Sequence, residues 1–241
     1  MERLRARQFG VKAGVCAGSL LIASQATAAG LAAGARLELP PTEHSVGAVI
    51  LSARGPGVHP ITVVLHGMCG DAARACSYFA EQVTESAHLI CPRASGRCAG
   101  GGASWPEQGV ADAVETVVER AKVALGEAVD DSHGRTLIGY SMGAFRALGI
   151  AQSANGKYPR VMLIGAKVAL DQPKLEQNGV HRLLLCAGSW DMMHEHMRRE
   201  TARVQRAGLS ARFLDLGPVG HGLTASFADY LPQALAWLSG G

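Results

Sequence analysis

The sequence predicts a doubly wound α/β domain on a mostly parallel sheet, and three observations carry that expectation. Short, almost continuous apolar runs recur along the chain, longer stretches with helical spacing lie between them, and Gly, Pro and Asp punctuate the joins. Runs that are apolar at every residue are what strands covered on both faces show. Their alternation with helical segments is the pattern of crossover units laid onto a parallel sheet. With 241 residues, 48% of them apolar, the chain can bury a core that needs neither metal nor partner to hold it.

In chain order, the first segment stands apart from that sheet. Arg3, Arg5, Arg7 and Lys12 form a basic start, residues 11–26 are apolar and small, and Ala26-Thr27-Ala28 offers a small-x-small cleavage pattern. These features predict a signal peptide over 1–28, cleaved after Ala28, followed by a single domain over 29–241, exported to a secreted or periplasmic location. An uncleaved anchor is the rival. The apolar stretch falls short of the roughly 20 strongly apolar residues a span needs, so no membrane span is expected in the mature form. Cys16 after Ala13-Gly14-Val15 suggests a lipoprotein leader, but Val stands where such leaders favour a small residue. Residues 1–28 hold four basic and one acidic side chain, so the net +3 belongs to the leader and the remainder carries nineteen of each sign. A neutral surface gives no electrostatic reason to expect nucleic acid or an anionic membrane as partner.

The apolar runs place strands at 48–51, 61–65, 89–91, 136–139, 161–165, 183–188 and 212–216. Helical spacing fills 72–86, 107–125, 142–154, 192–207 and 225–238. About seventeen residues separate the strand at 161–165 from that at 183–188, too few for a helical lid, so the site is expected to be open.

Export would expose Cys69, Cys76, Cys91, Cys98 and Cys186 to oxidation. The first four allow three pairings. Joining Cys69 to Cys76 and Cys91 to Cys98 would close two equal small loops worth about 2.5 kcal/mol each, but spacing does not choose among the pairings. Cys186 lies in an apolar run and reads as a buried thiol. No Cys-x-x-Cys occurs, which weakens a zinc reading.

The segment most telling of chemistry is Gly139-Tyr140-Ser141-Met142-Gly143, set between an apolar strand and an Ala-rich helix. A strand turning sharply into a helix brings backbone close to backbone, which favours Gly on both sides, and the turn projects the serine hydroxyl from the sheet edge. A serine hydroxyl needs a base and an orienting acid. Asp191 ends the strand at 183–188, and His221 sits between Gly220 and Gly222 after the next strand, in the chain order Ser, Asp, His. Asp171 is the substitute acid, and Asp191 could instead cap the following helix. Backbone N–H groups of Met68, in the loop His66-Gly67-Met68-Cys69-Gly70, and of Met142 are candidates for an oxyanion hole. His66 is read as bracing that loop. His194-Glu195-His196 is assigned to a solvated helix face rather than to a metal.

On these segments the chain resembles the α/β-hydrolase superfamily, and within it the small lidless esterases and dienelactone hydrolases. The resemblance implies a carboxylesterase-like serine hydrolase acting on a small-molecule ester, with Ser141 as nucleophile, His221 as base and Asp191 as acid. It implies no cofactor and no metal. A peptidase using the same triad and a non-catalytic binding member of the fold are the rival readings.

Overall fold

The computed structural model describes residues 30–240; the leader expected over 1–28 lies outside them. Eight strands form one mixed sheet. In chain order they are β1 (Arg36–Leu39), β2 (Ala48–Leu51), β3 (Ile61–Leu65) and β4 (His88–Pro92); a separate two-stranded hairpin follows, β5 (Gly96–Arg97) with β6 (Ala103–Ser104). The large sheet continues with β7 (Thr136–Tyr140), β8 (Arg160–Ile164), β9 (Arg182–Ala187) and β10 (Ala211–Asp215). The spatial order is β1-β2-β4-β3-β7-β8-β9-β10, with β1 and β2 antiparallel to their neighbours and every later pairing parallel.

The helices are α1 (Ala72–Val83), α2 (Val110–Leu125), α3 (Met142–Ala151), α4 (Gln172–Gln177), α5 (His194–Arg206) and α6 (Phe227–Ser239). They cover both sheet faces, and the period of two along each strand sorts the core into two layers. Val63, Leu65, Leu137, Leu163 and Leu185 face α2, α3 and α5, whereas Val64, Ile138, Met162, Ile164 and Leu184 face α1 and α6. This is why the central runs are almost continuously apolar. The chain therefore has the doubly wound fold of the α/β-hydrolase type.

All seven expected strands are present. The edge strand β1, the β5–β6 hairpin and the six-residue α4 are additions, each too short to show a period in the sequence. Asp71 caps α1, its carboxylate accepting the Arg74 backbone N–H at 3.0 Å, a contact worth about 1 kcal/mol. Beyond the amino end of β7 the buried Arg135 is clamped by Asp131 and Glu115 at 2.6 and 3.0 Å. The carboxyl end of β7 carries Ser141.

The disulfides are nested and not local: Cys76 joins Cys91 and Cys69 joins Cys98. Cys76 on α1 faces Cys91 on β4 inside the core layer shared with α6, while Cys69 ties the loop after β3 to the hairpin. Cys186 is a free, fully buried thiol whose ionisation burial strongly disfavours. Between β8 and β9 the connection holds α4 and no longer helix. Among the described residues no helix is long and apolar enough to cross a membrane.

Candidate active site

Three parallel strands deliver the site to one edge of the sheet. At the end of β7 the chain turns into α3 through Ser141, whose φ of 53° lies in the left-handed region, a conformation costing a non-Gly residue about 1–3 kcal/mol. The flanking glycines permit the turn. A Cβ on Gly139 would stand 2.4 Å from the Gly143 carbonyl oxygen, and one on Gly143 would stand 2.2 Å from that of Leu65. Ser141 N–H donates to the Ile164 carbonyl at 2.8 Å, which pins the turn to β8. Its hydroxyl, left out of helix capping, faces an imidazole.

That imidazole is His221, with Nε2 3.0 Å from Ser141 Oγ and Nδ1 2.9 Å from Asp191 Oδ2. A carboxylate can only accept, so Nδ1–H donates to Asp191 and Nε2 is left to take the serine proton. The Asp191 side chain is 3% exposed against 43% for His221, so the acid is walled off while the ring opens to solvent. Asp191 Oδ1 also accepts the Met193 N–H at 2.9 Å. Asp191 thus pins the turn that leads into α5 while contacting His221; the N-cap of α5 is Met193, so the rival reading of Asp191 as the helix cap does not hold. Asp171, the substitute acid, caps α4 instead, accepting from Lys174 N–H at 3.1 Å.

Two further residues lie beneath this hydrogen-bonded relay. The Tyr140 ring stacks beneath His221, centroids 5.6 Å apart and planes at 27°. Burial, then the charge of Asp191, raises the Tyr140 pKa, so its phenol stays neutral. Gly165, at φ +60°, follows β8 beneath Asp191 and His221; a Cβ there would stand 3.2 Å from both Asp191 Oδ2 and His221 Cε1. Neither stands out in the sequence, although a Gly closing the strand beside that of Ser141 is a usable signal.

The loop after β3 lies against Ser141, since a Cβ on Gly67 would come within 3.3 Å of Ser141 Cβ. The N–H groups of Met68 and Met142 donate no hydrogen bond among the described residues. His66 braces this loop from below. Ala94 N–H donates to its Nε2 at 3.4 Å, which leaves Nδ1–H to donate to the Gly67 carbonyl at 2.7 Å. Desolvation lowers the His66 pKa, so the ring is held neutral. Trp105 donates to the His66 carbonyl at 2.7 Å, and Ala103 N–H to that of Gly70 at 2.9 Å. A cavity of about 300 Å³ opens beside this loop, lined by Met68, Arg74, Tyr78, Phe79, Tyr140 and Leu223 among others.

His194 and His196 are less solvated than their sequence suggests. His194 Nε2 lies 3.1 Å from Asp215 Oδ2 with its ring edge-on to Phe213, and His196 Nε2 donates to the Val168 carbonyl at 2.6 Å. Both are half-buried, His194 because α5 packs on β10 and His196 because it reaches the segment after β8. Among the described residues no group of three or more His, Cys, Asp or Glu side chains is placed to hold a metal.

No protein-family model matches the chain, and no curated protein matches its sequence. Solved structures do match its fold. The fluorophosphonate-binding serine hydrolase FphF of Staphylococcus aureus superposes with a TM-score of 0.67 at 14% identity, over 87% of this chain and 100% of its own. The S-formylglutathione hydrolase FrmB of the same organism gives 0.62 at 14% identity, over 85% of this chain and 98% of its own. Acyl-protein thioesterase 2 of Zea mays gives 0.56 at 21% identity, over 80% and 99%. These likenesses establish the α/β-hydrolase fold.

Proposed function

We propose that this protein is an exported serine hydrolase that cleaves carboxylic esters of small molecules, its residues 29–241 acting as one catalytic domain. The observation that carries the reading is the unbroken relay from Ser141 Oγ through His221 to the buried Asp191, at 3.0 and 2.9 Å. A hydroxyl at a strained turn, one hydrogen bond from an oriented imidazole, is a nucleophile with its base in place. The carboxylesterase-like activity also accords with esterases among the structures that share the fold. Two disulfides accord with export.

In the proposed reaction His221 Nε2 takes the Ser141 proton as Oγ bonds to the ester carbonyl carbon. The negative charge gathers on the carbonyl oxygen, where the free N–H groups of Met68 and Met142 at the mouth of α3 stabilise it. Collapse breaks the bond to the alcohol, which leaves with the proton from His221. Water, deprotonated by the same imidazole, then releases the acid and restores Ser141. Asp191 keeps the ring in the tautomer both halves need.

A fluorophosphonate probe should label the protein on the peptide carrying Ser141. Ser141→Ala should abolish labelling and lower turnover of p-nitrophenyl butyrate by on the order of 10⁶. Labelling elsewhere, or activity that survives the substitution, contradicts the proposal.

A further inference from the structure

The cavity lined by Gly67 and Tyr140, the neighbours of Ser141, has an uneven charge distribution that bears on which ester it takes. Its walls are apolar and aromatic, with Phe79, Tyr78, Tyr140, Met68 and Leu223 contributing, and Asp71 and Arg74 are its acidic and basic lining residues. Asp71 is already engaged. One carboxylate oxygen accepts the Arg74 backbone N–H at 3.0 Å, and the other faces the Arg93 guanidinium at 3.7 Å. The Arg74 guanidinium meets no carboxylate within ion-pair distance and makes no side-chain hydrogen bond among the described residues. This leaves the cavity one cation without an ion-pair partner, Arg74, an exposed residue at the rim of an apolar space.

The two halves of an ester leave the site differently. The alcohol departs first, past the exposed His221, whereas the acyl half stays bonded to Ser141 until water arrives. The cavity reaches Gly67, which packs beside Ser141, and Tyr140, its chain neighbour, so an acyl group held on Ser141 can extend into it. A carboxylate entering apolar surroundings is costly unless paired, and a guanidinium meets it with a planar, two-pronged set of donors.

Building on the ester-hydrolase reading above, we propose that this cavity receives the acyl half of a hemiester: an apolar chain whose far end carries a carboxylate facing Arg74. Arg74 is then a specificity residue, separate from the relay that performs the chemistry. The products are the free alcohol and a dicarboxylate.

The test compares p-nitrophenyl hemiesters of adipic and suberic acid with p-nitrophenyl hexanoate and octanoate, which lack the terminal charge. The unaltered protein should favour at least one hemiester over its neutral counterpart by about tenfold in kcat/KM, and added salt should shrink that preference. Arg74→Gln should remove the preference while leaving neutral-ester turnover within about twofold, and Arg74→Lys should restore part of it. Equal rates for charged and neutral esters, or a preference that survives Arg74→Gln, overturn the role of Arg74 and leave ester hydrolysis standing. Failure to turn over any of the four esters overturns both proposals.

Discussion

The two loops that flank Ser141 are held in opposite ways. Residues 66–70 are fastened on every side, by the Cys69–Cys98 bridge, the Gly70–Ala103 hydrogen bond, the Trp105 indole and the His66 ring beneath. The loop carrying His221 rests on the Asp191 contact, on the Tyr140 ring beneath it and on bonds from Ser189 and Trp190 to Gly217 and Val219, with no covalent tie. A Cβ on Gly220 or Gly222 would meet nothing within 4 Å. The difference fits what each loop supplies in the proposed reaction. Amide donors help only if they already point at the developing charge, because reorientation at that moment forfeits the gain. An imidazole that takes a proton from one oxygen and hands it to another needs a fixed tautomer more than a fixed position.

The largest test of this contrast removes the sparsely held side. His221→Ala should lower kcat for p-nitrophenyl butyrate by on the order of 10⁶, and Asp191→Asn by about 10⁴, while Asp171→Asn should leave it unchanged. Steady-state kinetics on the three purified variants decides this, and loss in Asp171→Asn would move the acid. The fastened side should respond less but more selectively. Replacing Cys69 and Cys98 together by Ser should cost about 10²-fold in kcat if the bridge sets the amide positions. Replacing Cys76 and Cys91 by Ala should leave kcat alone and lower the unfolding free energy by about 3 kcal/mol, read from urea titrations. The smallest expected effect is a pH slope in stability. Because burial lowers the His66 pKa, the unfolded chain takes up a proton near pH 6.5 that the folded chain refuses, so stability falls as pH drops through that value. His66→Gln should flatten part of the fall in urea midpoints between pH 7.5 and 5; His88, likewise lowered by burial, keeps the rest.

What the sequence made legible follows the same division. Gly139 to Gly143 could be read because a buried apolar run stops there and a glycine-flanked serine begins; Asp191 and His221 lie beyond the ends of β9 and β10, and what marks them is a lone Asp after an apolar run and a His between two glycines. The fastening of the 66–70 loop could not be read in this way. It depends on contacts between distant segments, Cys69 with Cys98 and Trp105 with His66, that no local period encodes. The equal spacing of the cysteines pointed equally well to local loops. The edge strand β1 has only four residues, half-buried and exposed in alternation, a pattern weaker than that of any central strand. Gly165 escaped notice because its role lies in what a side chain there would displace.

The short connection between β8 and β9 has a consequence for the fate of the proposed acyl-serine. With α4 as its one helical turn and a half, this segment folds no long helix over Ser141, and the His221 side chain opposite is 43% exposed. The second attacking molecule is then whichever hydroxyl the surroundings hold in abundance. Hydrolysis in such a protein follows from the medium, and in alcohol-rich mixtures the same residues would exchange one ester for another.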